Sequence, residues 1–347
     1  MKTIARITAA AFAIGLISQP ASAESTLRLI GYSGLFQERY TKAVIEPFMK
    51  ANPDVKVEFF PLQGSAQMLG MLRAQKASPQ ADVVIMDVSV AKTGTDEALF
   101  DKVDESVSKH VAELFPNARF PNVAGVGVTF DNLVLISNTE LVKTPPTSWD
   151  ALKDPAYKGK VAMFGAPDLV GVGLTLVLDK AAGGTDYLAN VDKGIAALAE
   201  IAPNVQTWDP KPEVYPAVVN GQVALGVGWN ARAQVFADTS NGRLRVTLPK
   251  EGSLFQTNTI NLVKGAPNSE AAKKFVDYAL SAEAQKAFTE AMYYAPTNSH
   301  AKISEDALKR TAASAMDRVM NADWIALAKV RDSIVEQWRR KVIPLSR

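Results

Sequence analysis

Cysteine is absent from the 347 residues, and histidine occurs only at His110 and His300. The first absence excludes a disulfide, a thiol nucleophile, a thiolate metal site and a lipid carried on an N-terminal cysteine. The second excludes a multi-histidine zinc centre and leaves any histidine-dependent catalysis to one of two positions. An excess of one charge is also missing, with 38 Lys and Arg against 36 Asp and Glu, so a nucleic-acid partner is not expected. Phosphate-cradling and calcium-binding loops do not occur, and Gly171-Val172-Gly173 lacks the third glycine of a dinucleotide loop. Neither a cofactor nor a metal is expected.

What is present begins with an export segment. Lys2 and Arg6 precede an apolar run from Ile7 to Ile17, then Pro20 and the small-residue site Ala21-Ser22-Ala23. This is the layout of a cleaved signal peptide over 1–23, leaving Glu24 as the first mature residue. Removing Lys2 and Arg6 balances the mature chain at 36 charges of each sign. No later segment reaches the roughly eighteen consecutive apolar residues of a membrane span. A soluble periplasmic protein is expected.

The mature chain alternates strand and helix patterns. Thr26–Tyr32, Val55–Pro61 and the apolar Asp82–Met86 read as strands, separated by helical stretches at Tyr40–Met49 and Met68–Lys76, with Ser65 as the cap of the latter. Val123–Ile136 adds strand. A second α/β unit follows from Lys160 to Gly228, and Asn258–Val263 reads as a strand returning to the first unit. Helices at Glu270–Ala282 and Ala284–Met292 and a helical tail over 303–340 complete the chain. Several short crossings rather than one linker imply two lobes with a cleft between them. In such sheets ligands bind beyond the carboxyl ends of the strands, where Tyr32, Asp87 and Trp229 stand.

Five segments carry a family resemblance: Ser148-Trp149 to Lys160 (SWDALKDPAYKGK), Asn220-Gly221-Gln222-Val223 with Trp229-Asn230, Pro249-Lys250-Glu251-Gly252, Ala266-Pro267-Asn268, and Tyr294-Ala295-Pro296-Thr297-Asn298. In order and spacing they resemble the extracellular solute-binding proteins of ABC importers, nearest the spermidine/putrescine-binding group. The resemblance implies a two-lobed α/β clamshell with a mixed sheet in each lobe, which delivers a small molecule to an inner-membrane permease. It divides the chain into a first lobe of 24–136 and 264–300, a second lobe of 137–263, and C-terminal helices over 301–347 packed on both. Crossings are expected near Ile136–Asn138 and Asn261–Lys264.

Carried over position by position, the resemblance implies an aromatic and a hydroxyl after the first strand (Tyr32-Ser33), a tryptophan at Trp229 and a tyrosine at Tyr294. The polyamine proteins have a Trp and an ammonium-receiving Asp after PKEG, where this chain has Gln256 and Asn258. It also gains Arg232, where they have a small residue. An acidic receptor is lost and a guanidinium gained, and a guanidinium grips carboxylates and phosphonates bidentately. Asp87 becomes the candidate receptor for an ammonium. Ser65, Asp168 and Asp209 are further candidates, with capping and turn chemistry as their alternative roles.

The expected ligand is a small amine-bearing carboxylate or related zwitterion: γ-aminobutyrate-like, opine-like or an aminophosphonate. A polyamine is the alternative. Ferric ion is a lesser one, raised by the adjacent Tyr293 and Tyr294. From a different class comes a secreted hydrolase with Ser33 as nucleophile, although Gly31-Tyr32-Ser33-Gly34 lacks the spacing of a nucleophile elbow. Binding by a monomer without catalysis is the expectation.

Overall fold

The computed structural model describes residues 25–346. The signal segment lies outside them. The strands are β1 (Ser25–Tyr32), β2 (Val55–Leu62), β3 (Val83–Asp87), β4 (Phe100–Asp101), β5 (Val126–Asn138) and β6 (Val161–Ala162), followed by β7 (Val205–Thr207), β8 (Leu225–Trp229), β9 (Leu244–Thr247), β10 (Ser253–Val263) and β11 (Val319–Met320). Their main order is β2-β1-β3-β10-β5-β8-β6-β7.

Each lobe has a mixed sheet. In the first, β2, β1 and β3 run parallel and β10 joins antiparallel to β3. In the second, β7, β6 and β8 run parallel and β5 joins antiparallel to β8. The parallel core strands are apolar on both faces because helices cover both; Val83 to Met86 are fully buried. The expected two-lobed α/β clamshell is the observed architecture.

The lobes are joined through β5 and β10. From Val126 to Asn132, β5 pairs with β10; from Leu133 to Ser137 it pairs with β8. The change of partner therefore falls before the crossing expected near Ile136–Asn138. On β10, Ser253 and Leu254 pair with β11, Phe255 to Ile260 with β5, and Asn258 to Leu262 with β3. This strand changes partners before the crossing expected near Asn261–Lys264.

The tail departs from the expected continuous helix. Helices at Glu305–Arg310, Trp324–Leu327 and Arg331–Lys341 are separated by 3-10 turns and by β11. Two buried tryptophans explain the arrangement. Trp324 donates its indole N–H to the Phe255 carbonyl on β10 (2.6 Å), and Trp338 donates to Thr175 Oγ1 in the second lobe (2.8 Å).

Candidate functional site

Tyr32, Asp87 and Trp229 end β1, β3 and β8, and their side chains meet in one cleft of about 330 Å3. Gln256 and Asn258, on β10, and Tyr294 line the same space. From the second lobe come Asp168, Glu213, Tyr215 and Arg232, while Asp131 lies on β5 where the lobes join.

Asp87 holds the N-cap position of the helix Val88–Asp96, yet its carboxylate makes no cap bond. It turns instead to a polar network. Ser65 Oγ donates to Asp87 Oδ2 (2.7 Å), and Gln256 Nε2 donates to Oδ1. The Tyr32 hydroxyl stands 2.8 Å from Ser65 Oγ and 2.9 Å from Asn258 Oδ1, so its one proton serves one of the two. Burial raises the Asp87 pKa above the usual carboxylate range, and hydrogen bonds from Ser65, Gln256 and Tyr32 pull it back. Burial and the Asp87 charge push the Tyr32 phenol upward, keeping it a donor. Ser65 is not the cap expected from the sequence. Gly64 holds that position, and the Ser65 hydroxyl serves Asp87 and Tyr32.

Across the cleft, Trp229 is held by Tyr215. The Tyr215 hydroxyl accepts from the Trp229 N–H (2.8 Å) and donates to the Trp229 carbonyl (3.1 Å). Gly228 permits this approach, since a Cβ there would meet the Tyr215 ring at 2.8 Å. Arg232 lies in the first turn of the next helix, Asn230–Thr239, and its guanidinium pairs with Glu213. Burial works against the Arg232 charge, but Glu213 foremost, with Tyr215, Tyr294 and Asp131, more than restores it. On the first lobe's side, Tyr294 stacks on Phe288 (5.5 Å between ring centres).

The remaining candidates divide. Asp168 lines the rim, where its Oδ1 accepts from Val170 N–H (2.8 Å) as a conventional helix cap. Asp209 is not among the lining residues; it is exposed, its carboxylate pairs with Lys211 at 2.8 Å, and its N–H donates to Thr207 Oγ1 (3.1 Å). Ser33 is also absent from the lining, and its N–H continues the β1–β2 ladder to the Leu62 carbonyl (3.0 Å). Among the described residues, Ser33 has no histidine partner: His110 Nδ1 stands 2.7 Å from Glu113 and His300 Nδ1 3.9 Å from the same side chain. The two tyrosines that raised the iron alternative separate, because Tyr293 has a left-handed backbone (φ 59°). Its hydroxyl bonds Asp238 and its ring lies under Arg310, while Tyr294 faces the cleft. Among the described residues, no cluster of three or more His, Cys, Asp or Glu could hold a metal.

Asp131, Glu213 and Tyr215 were not singled out from the sequence. Asp131 carried the one available signal, an acid inside the apolar run Val126–Ile136. Its Oδ1 accepts from the N–H groups of Asn132 (2.9 Å) and Ala231 (3.1 Å). Burial pushes its pKa up to about 7, against those N–H groups and the nearby Arg232 charge. A carboxyl raised this way holds its proton in the folded chain after the unfolded chain has lost it. Stability therefore falls as pH rises from about 4 to about 7, by up to about 1.4 kcal/mol per unit. Asp131→Asn keeps the acceptor and removes the titration. Urea unfolding at pH 5 and pH 8 is expected to show a variant that gains on the parent at the higher pH. Parallel stabilities at the two pH values would contradict this.

A family model described as bacterial extracellular solute-binding protein matches residues 43–315. The chain belongs to this family. Among solute-binding relatives, it is 24% identical over 291 residues to the gamma-aminobutyric acid-binding protein of Pseudomonas aeruginosa, covering 83% of this chain and 81% of that one. It is 24% identical over 347 residues to the spermidine/putrescine-binding periplasmic protein of Escherichia coli, covering 97% of each. A solved structure of a putative extracellular solute-binding protein from Bordetella parapertussis superposes with a TM-score of 0.78 at 22% identity, over 92% of this chain and 99% of that one. The solute-binding family sets the role: capture of a small molecule for an ABC transporter. The relatives' names span a zwitterion and polycations, so the choice of solute rests on the cleft's own residues.

Proposed function

We propose that this protein is the periplasmic receptor for a small solute carrying a protonated amine and an anionic arm, an ω-amino acid such as γ-aminobutyrate or an aminophosphonate. One observation carries the reading: opposite charges from different lobes line a single small cleft, Asp87 at the end of β3 and Arg232 beyond β8. Asp87 forgoes its helix cap to face this space, which is the behaviour of a receiving group rather than a capping one. Tyr32, Trp229 and Tyr294 form walls for the methylene stem. A solute that touches both charges bridges the lobes and stabilises the closed state by its differential contacts.

In this reading the hinge lies where β5 changes partner, between Asn132 and Leu133, and where β10 leaves β11, near Phe255. The first lobe then spans about 25–132 and 255–300 and the second about 133–254, with the tail from 301 packed on both. The protein works as an exported monomer, hands its solute to an inner-membrane permease, and does not turn it over.

A polyamine is the second reading, and the charge balance favours it: Asp87, Asp168 and Glu213, with Asp131 titrating near pH 7, face one guanidinium. A thermal-shift screen of ω-amino acids, aminophosphonates, opines and diamines separates the two. The proposal expects zwitterions to raise the melting temperature most, since a solute binding only the folded state stabilises it in proportion to the logarithm of its concentration over Kd. Stabilisation by diamines alone would overturn it.

A further inference from the structure

We propose that Glu213 is an internal competitor for Arg232, a built-in carboxylate that the anionic arm of the solute must displace, so that Glu213 sets how strongly the cleft accepts acids over amines. The inference rests on the zwitterion reading above. Three features support it. Glu213 and Arg232 both line the cleft and are ion-paired, each side chain about one-third exposed (31% and 34%). The pair is thus open to an incoming carboxylate, unlike a sealed structural bridge. Glu213 also occupies the N-cap position of the helix Val214–Val219 with no cap bond, so its carboxylate is spent on Arg232 alone. Its partial exposure lets the displaced carboxylate turn to solvent.

The competition has a definite consequence. An unoccupied Arg232 would attract free anions into the cleft. With Glu213 in place, the Arg232 charge is answered from within, and the remaining field comes from Asp87 and Asp168, since Asp131 keeps its proton up to about pH 7. Only a solute whose amine first satisfies that negative field gains enough to evict Glu213. Simple carboxylates are rejected, and an amine is demanded before the acid is read. This is selection by an intramolecular rival rather than by steric exclusion.

The test uses the mature protein and two probes of similar length, γ-aminobutyrate and putrescine, measured by calorimetry. Glu213→Gln is expected to tighten γ-aminobutyrate about two- to fivefold, the worth of a partly exposed ion pair, and to weaken putrescine. The gain must run through Arg232, so in an Arg232→Ala background Glu213→Gln is expected to give no tightening. A gain of the same size in that background would mean a general field effect and would overturn the proposal. So would unchanged or weaker γ-aminobutyrate binding by Glu213→Gln while the parent binds, which leaves the zwitterion reading standing. If neither parent nor variant binds γ-aminobutyrate, the same pair is titrated with 2-aminoethylphosphonate, and if neither zwitterion binds, the zwitterion reading falls and the competitor role with it. Glu213→Ala, checked for an unchanged melting temperature, repeats the test if the glutamine variant does not fold.

Discussion

Asp87→Asn is expected to weaken an amine-bearing solute by about 2–4 kcal/mol, roughly thirty- to a thousandfold, while leaving the empty protein as stable as the parent or more so. Both halves follow from the network around the carboxylate. The new amide oxygen still accepts from Gln256. The amide NH2 donates to Ser65 Oγ, whose proton then turns to Tyr32, whose own proton goes to Asn258 Oδ1. The chain of short contacts among Asp87, Ser65, Tyr32 and Asn258 thus survives with the Ser65–Asp87 bond reversed and the Tyr32–Asn258 bond kept. Burial already disfavours the ionised carboxyl, so replacing it with a neutral group relieves the empty cleft. Lost affinity with retained or raised stability is the signature of a receiving group held at a stability cost. Calorimetry and a melting curve on the same preparation check it. Unchanged affinity would mean that Asp87 serves the network and not the solute.

Arg232→Ala carries the second large effect, and its sign depends on the solute. Removing the guanidinium takes away the charge-assisted bonds to an anionic arm and leaves Glu213 without its partner. A carboxylate then meets repulsion where it met attraction. The loss is expected to reach about 2–5 kcal/mol if closure desolvates the pair; the one-third exposure of Arg232 in this structure argues for the lower part of that range. A diamine meets the opposite change and is expected to bind equally well or better, since one more carboxylate is freed for it. Titration of the variant with γ-aminobutyrate and with putrescine reads both signs. Equal loss for the two solutes would point to a collapsed cleft.

Apart from Trp229 and Tyr294, which line the cleft, the segments that carry the family resemblance hold the architecture rather than the solute. Ser148 Oγ and the Trp149 N–H both donate to the Glu251 carboxylate, and the Trp149 indole donates to the Gly252 carbonyl. The first motif therefore packs on the third. Gly252 has φ +87°, and a Cβ there would come within 2.1 Å of the Arg318 carbonyl, which explains a glycine at that place. Asn230 donates to the Tyr293 and Arg310 carbonyls, tying the second lobe to the first and to the tail. Asn298 donates to the Leu280 carbonyl. Such contacts depend on fixed backbone positions and read clearly in a sequence.

The cleft was legible where parallel-sheet logic reaches, at the carboxyl ends of β1, β3 and β8, which present Tyr32, Asp87 and Trp229. It was not legible where tertiary contact decides. Glu213 directly follows the loop Asp209-Pro210-Lys211-Pro212, whose composition reads as a turn, and only the fold brings it to Arg232. Tyr215 is one aromatic among several in the sequence, and only the fold brings its hydroxyl to clamp Trp229. The helix Asn230–Thr239 that carries Arg232 has little amphipathic pattern, because Ala231 and Ala233 are buried along with Asn230 and Gln234. Tail helices interrupted to seat Trp324 and Trp338 likewise follow from long-range partners that local pattern does not contain.

The central claim is that one cleft reads an amine through the first lobe and an anion through the second. Calorimetric titration of the mature protein with γ-aminobutyrate, 2-aminoethylphosphonate and putrescine tests it most directly. The account predicts saturable one-to-one binding of at least one of the two zwitterions, tighter than putrescine. Saturable binding of putrescine with no heat from either zwitterion would contradict it.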